Sequence, residues 1–164
     1  MVRPNPDAVA ERTPGLSGSR PALRWVPLIV AGGAAGTAAR AALEQAFPPA
    51  PAGVPWVTLI INVAGSFLLG VLLDTLTRTG PDRGRRLAVR LTLGTGVLGG
   101  FTTYSTFMLE TVDRVRDGHA ALAVAYLVGS ITLGMAAAGA GIAASARVGR
   151  TDASGASRAS RAER

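Results

Sequence analysis

Gly94-Thr-Gly-Val-Leu-Gly-Gly-Phe-Thr-Thr-Tyr-Ser-Thr-Phe107 decides how this chain is read. The stretch lies in an apolar run of membrane-spanning length, yet it holds four glycines, five Thr or Ser hydroxyls and three aromatic rings. Glycine costs roughly 1 kcal/mol against alanine in a helix interior, and threonine is a mediocre helix former. A helix here is expected to break at bilayer depth. Irregular backbone survives there only when it is buried in protein or lines a wet cavity. The stretch therefore points to a broken transmembrane helix carrying a site for an ion or small polar solute.

Working outward, four apolar spans are expected: Trp25 to Leu43, Val54 to Leu73, Leu87 to Leu109 and Ala120 to Ala146. At about 1.5 Å rise per residue, some twenty residues cover the ~30 Å hydrocarbon core. Gly32 and Gly36 form a GxxxG pair, which admits close approach of another helix, and Trp56 is placed as an interface anchor. The expected fold is an all-α membrane protein with four transmembrane helices, the third of them broken, in one domain over residues 25–146. Residues 1–24 are rich in Pro and Arg without apolar periodicity, and 147–164 are Ser, Arg and Ala. Both are expected to be disordered tails. The first apolar stretch starts at Trp25, deeper than a signal peptide would place it.

Composition closes off other classes. The chain has 164 residues and is 48% hydrophobic, with a mean hydropathy of +0.33, which suits a small polytopic membrane protein. It has no cysteine, so disulfides and thiol chemistry are excluded, and His119 is its single histidine, which leaves no His cluster for a metal. No nucleophile–base constellation is present, and no enzyme activity is expected. The net charge of +7 comes from seventeen arginines with no lysine. They flank apolar runs, as in loops facing an anionic leaflet, so the lipid bilayer rather than nucleic acid is the expected partner of this charge.

The same arginines orient the spans. With four spans, both tails and the second loop share one side, and that side, with Arg90 counted at the loop's end, holds fourteen of the seventeen arginines. Arg40, Arg114 and Arg116 fall on the other. The positive-inside rule then places both termini in the cytoplasm of a multi-pass protein of the cell (inner) membrane.

Polar residues at depth are the candidate site. Asn62 sits in the middle of span two, and an unpartnered amide in hydrocarbon is costly. It meets either another helix or a solute. Ser66 follows one turn later on the same face. In span three, Tyr104 and Phe107 share a face, with Ser105 and Thr106 between them. A ring edge carries the positive part of the aromatic quadrupole, and an amide donates N–H. Together they suit an anion better than a cation, since no carboxylate lies at mid-depth. Glu110, near the end of the span, and Arg40, at the edge of span one, are read either as interfacial residues or as a vestibule.

Asn62-Val-Ala-Gly-Ser-Phe-Leu-Leu-Gly70 and Gly99-Gly-Phe-Thr-Thr-Tyr-Ser-Thr-Phe107 resemble the Fluc (CrcB) family of small fluoride channels, as does Gly32-Gly-Ala-Ala-Gly-Thr-Ala-Ala-Arg40. The resemblance covers about residues 25–146. It implies an antiparallel, dual-pore dimer with a structural sodium ion at its centre. On this resemblance Asn62 is the pore-lining amide, Tyr104 and Phe107 form the aromatic box around fluoride, and Ser105 and Thr106 belong to a polar track. Gly99 and Thr102 give backbone carbonyls to sodium, completed by the same pair from the partner. One position departs from the family pattern: Tyr104 stands where Phe is usual, which adds a hydroxyl beside the anion.

An antiparallel homodimer requires one sequence to insert both ways, hence a balanced arginine distribution. The lopsided one here instead implies pairing with an oppositely oriented homologous subunit. The expected function is passive export of fluoride. Two alternatives stand beside it: a proton-coupled small-molecule exporter, which needs a membrane carboxylate such as Glu110, and a non-conducting partner subunit of a heterodimeric channel.

Overall fold

The computed structural model describes residues 23–48 and 53–162; the N-terminal tail expectation falls, up to residue 22, outside these. Every regular element among the described residues is helical. In chain order they are α1 (Val26–Ala46), α2 (Trp56–Arg78), α3 (Arg85–Val89), a π-helical segment (Arg90–Leu98), α4 (Gly99–Phe101), α5 (Ser105–Arg116) and α6 (Ala120–Ala162). Among the described residues three helical stretches are long and apolar enough to cross a membrane: Val26–Ala46, Trp56–Arg78 and Ala120–Val148. The helices overrun the hydropathic spans because Arg, Glu and Gln are good helix formers whatever their depth. In α6 helical backbone continues through Ala162, into residues set aside above as a tail.

The remaining helical backbone is divided. α3, the π-helical segment and α4 run without interruption over 85–101, and the chain then leaves the helix before α5 resumes at Ser105. Thr102 is extended, at φ −77° and ψ 155°. The irregular backbone thus falls one step later than the glycines that announced it, and Gly99–Phe101 is the last helical turn before it.

Packing explains why those glycines stay helical. α1 lies against the π-helical segment and α4, and the contact is backbone on backbone. A Cβ on Gly36 would run into the Val97 carbonyl, and one on Gly100 into the Gly33 carbonyl. A Cβ on Gly96 would sit 2.9 Å from the Ile29 carbonyl oxygen. Gly32 and Gly36 of α1 therefore face a second small-residue pair, Gly96 and Gly100, and close approach offsets the poor propensity of both. α2 packs along α6 in the same manner, Gly141 against the Phe67 carbonyl and Gly70 against Ala138.

α5 ends in a Schellman motif: the His119 N–H donates to the Arg114 carbonyl at 2.7 Å and the Gly118 N–H to the Val115 carbonyl at 3.1 Å. Gly118 supplies the required positive φ of 82°. The apolar core of the chain is small, led by Ile61, Phe107, Ala123 and Tyr126. Large apolar side chains such as Trp56, Ile60, Leu109 and Met135 point outward, as expected where the surroundings are lipid or another subunit rather than water.

Candidate functional site

The site grows from the interruption at 102–104. Leaving a helix frees backbone groups that hydrocarbon cannot solvate, and the sequence answers for them one by one. The Thr102 N–H and hydroxyl both donate to the Leu98 carbonyl at 2.9 Å. The Asn62 amide then takes both backbone groups of Thr103: its Nδ2 donates to the Thr103 carbonyl at 2.8 Å and its Oδ1 accepts the Thr103 N–H at 2.8 Å. At about 0.5–1.5 kcal/mol net for each bond, this pair pins the interruption to α2. The Thr103 hydroxyl next accepts the Thr106 N–H at 3.1 Å, which caps the start of α5. It also lies 3.1 Å from the Thr106 hydroxyl and 3.3 Å from that of Ser105.

The free end of α4 is held from the other side. The Gly100 carbonyl accepts from Arg40 Nε at 3.3 Å and from the Thr37 hydroxyl at 3.4 Å. Arg40 is also paired with Glu44 at 3.2 Å. Arg40, read from sequence as interfacial or vestibular, here caps a helix end. Among the described residues the Gly99 and Thr102 carbonyls receive no hydrogen bond from another group, and Gly99 is exposed on the surface of the chain. Hard, unclaimed carbonyl oxygens of this kind fit a small monovalent cation.

Beside the interruption lies an open groove of about 500 Å³ whose lining includes Asn62, Thr102, Thr103, Tyr104, Phe107 and Ser130. Asn62, Tyr104 and Phe107, brought together by sequence reasoning, do meet in it. The two rings differ sharply: Phe107 is 6% exposed, Tyr104 76%. Phe107 lies 6.4 Å from the Tyr104 ring and 5.2 Å from that of Tyr126, tilted by 51° and 53°, geometries that present edges rather than stacked faces. One N–H of the Asn62 amide is used on Thr103, which leaves the other.

Thr106 does not line this groove. It lines a smaller pocket of about 180 Å³ together with Glu44, Thr58 and Glu110. There the Glu110 carboxylate accepts the Thr58 hydroxyl on Oε1 and the Tyr126 hydroxyl on Oε2, each at 2.8 Å. Ser105 lines neither space and stays exposed. Sequence reasoning missed Thr58, Thr103, Tyr126 and Ser130. Tyr126 left a signal, since it is the lone aromatic residue of an Ala-rich apolar span and its hydroxyl, once buried, requires a partner.

Residues 27–142 match the family described as CrcB-like protein, Camphor Resistance (CrcB). A fluoride-specific ion channel FluC 1 of Cutibacterium acnes is 48% identical over 120 residues, 73% of this chain and 82% of the relative. A fluoride-specific ion channel FluC 2 of Leifsonia xyli is 48% identical over 126 residues, 77% and 86% of the two chains. A fluoride-specific ion channel FluC of Deinococcus radiodurans is 45% identical over 134 residues, 79% of this chain and 99% of the relative. With a match over most of its length and relatives this similar, the chain belongs to the CrcB family, a family of ion channels rather than enzymes.

Proposed function

We propose that this chain is a subunit of a fluoride-specific channel of the cell membrane that lets cytoplasmic fluoride leave passively down its gradient. The observation that carries the reading is the meeting of Asn62, Tyr104 and Phe107 in one groove. An amide N–H and the electropositive edges of two rings replace water around a small anion without a fixed cation that would trap it. Residues 85–101 and Ser105–Arg116 together form the third, broken crossing. Both termini face the cytoplasm, where the arginine-rich loop and tails lie.

The channel is an antiparallel dimer with two pores. Tyr104 and Gly99, both exposed on the single chain, then face the partner, and the Thr106 hydroxyl extends the polar track toward Glu110. The Gly99 and Thr102 carbonyls, with the partner's pair, hold a structural sodium ion. That ion ties the two interruptions together and is not transported. The one-sided arginine distribution makes the partner an oppositely inserting homologue. Family membership favours this reading over a proton-coupled exporter.

Efflux from liposomes, followed with a fluoride electrode, tests the proposal with this chain alone, with a homologue of opposite arginine bias alone, and with both. Efflux only with both supports the paired channel. Efflux by this chain alone sinks the heteromeric pairing, and no fluoride efflux in any sample sinks the channel.

A further inference from the structure

Arg114, in the last turn of α5, is 8% exposed, a rare degree of burial for an arginine. Its guanidinium bonds to backbone only: Nε and Nη2 donate to the Gly53 carbonyl at 3.0 and 2.6 Å, and Nη1 donates to the Glu110 carbonyl at 3.0 Å. Among the described residues Arg40, Arg78, Arg90 and Arg116 each have a carboxylate within ion-pair distance, and Arg114 does not. A full positive charge is thus held inside the protein by carbonyl dipoles. Burial of this kind is costly unless another charge compensates it.

The compensating charge is one turn away. Glu110 precedes Arg114 by four residues, on the same helix face, and its carboxylate lines the 180 Å³ pocket with Glu44. Two carboxylates at the mouth of an anion path repel the anion. Glu44 is matched by Arg40 in direct contact at 3.2 Å. Glu110 is not matched in this way, because its two oxygens are occupied by the hydroxyls of Thr58 and Tyr126.

We propose that Arg114 is the fixed counter-charge of Glu110, tethered by Gly53 so that it cannot close onto the carboxylate, and that it tunes fluoride entry at this mouth. The tether separates two tasks. Glu110 stays free to hold its hydroxyls, and the mouth still carries no net negative charge. Arg114 acts through the field at the pocket and does not touch the ion; it is a positioning charge. The inference rests on the fluoride reading above.

Initial fluoride efflux is measured for the wild-type assembly, Arg114→Lys and Arg114→Gln, at low and high salt, with chromatographic profiles as the check on folding. Lysine keeps the charge and loses the two-pronged grip on Gly53; glutamine loses the charge. Arg114→Gln is expected to fall about fivefold, and to do so at both salt concentrations, because a charge buried to this degree is little screened by bulk ions. Arg114→Lys is expected to stay within about twofold of wild type throughout. A Lys deficit as large as that of Gln makes Arg114 a purely structural tether and overturns the proposal, as does an Arg114→Gln assembly that conducts at the wild-type rate. Should Arg114→Gln fail to assemble, Arg114→Lys decides alone, with less than half the wild-type rate counting against the proposal. A wild-type assembly that carries no fluoride overturns the functional reading itself, whatever the variants do.

Discussion

Residues 85–101 meet α1 through bare backbone, with Gly96 and Gly100 set against Gly32, Gly33 and Gly36. Ser105–Arg116, only a few residues on, meets α2 and α6 through polar side chains: Glu110 to Thr58 and Tyr126, Thr103 to Asn62 just before it. One half is mainly a scaffold packed glycine against backbone; the other brings its own hydroxyls and the Glu110 carboxylate against the polar side chains of α2 and α6. The contrast shows how a chain this short builds a polar site in lipid. Close glycine packing fixes one side of the interruption, so that the loose backbone on the other side is aimed rather than floppy.

Breaking the scaffold is expected to have the largest effect. Gly36→Val drives a side chain into the Val97 backbone, an overpacking that costs about 3 kcal/mol or more because neither backbone can yield. The variant is expected to lose its monodisperse chromatographic peak. Asn62→Leu comes next. It strips both partners from Thr103, at about 2–4 kcal/mol for two orphaned groups, and is expected to cut fluoride efflux by more than about tenfold. A variant that conducts normally would show that the interruption holds its shape without α2.

Tyr126→Phe sharpens the comparison on the polar side. It removes one of the two hydroxyls on Glu110, at a cost of about 1–3 kcal/mol if the carboxylate oxygen stays dry. Melting in detergent is expected to shift down modestly while the Phe107 contact survives. Tyr104→Phe is the mildest change. With 76% of the residue exposed, stability is expected to stay within about 0.5 kcal/mol of wild type. Its efflux rate reports whether the extra hydroxyl retunes the site: a faster rate assigns the hydroxyl a braking role, an unchanged rate assigns it none.

Much of this was legible in the amino acids. Four glycines and five hydroxyls in an apolar run announced irregular backbone between residues 94 and 107, and α2 and α6 begin within two residues of the expected starts. What stayed hidden was pairing across distance. Asn62 was legible as a costly buried amide, but nothing local says that its partner is the backbone of Thr103, 41 residues on. Arg40 gave the same local signal as any arginine at a span edge, and only the fold brings it to the Gly100 carbonyl. Where within that stretch the chain opens was hidden for a related reason. Glycine propensity marks Gly99 and Gly100 as weak points, but Gly100 is held by close packing against α1, and the chain opens instead where Asn62 can take over its hydrogen bonds.

In the proposed channel the polar half carries fluoride past the edge of Phe107. Fluoride efflux of the Phe107→Ile assembly tests it most directly, because isoleucine fills the buried position but has no electropositive edge. The variant is expected to keep an unchanged chromatographic profile while its efflux falls by at least about tenfold. A folded Phe107→Ile assembly that carries fluoride at the wild-type rate would contradict it.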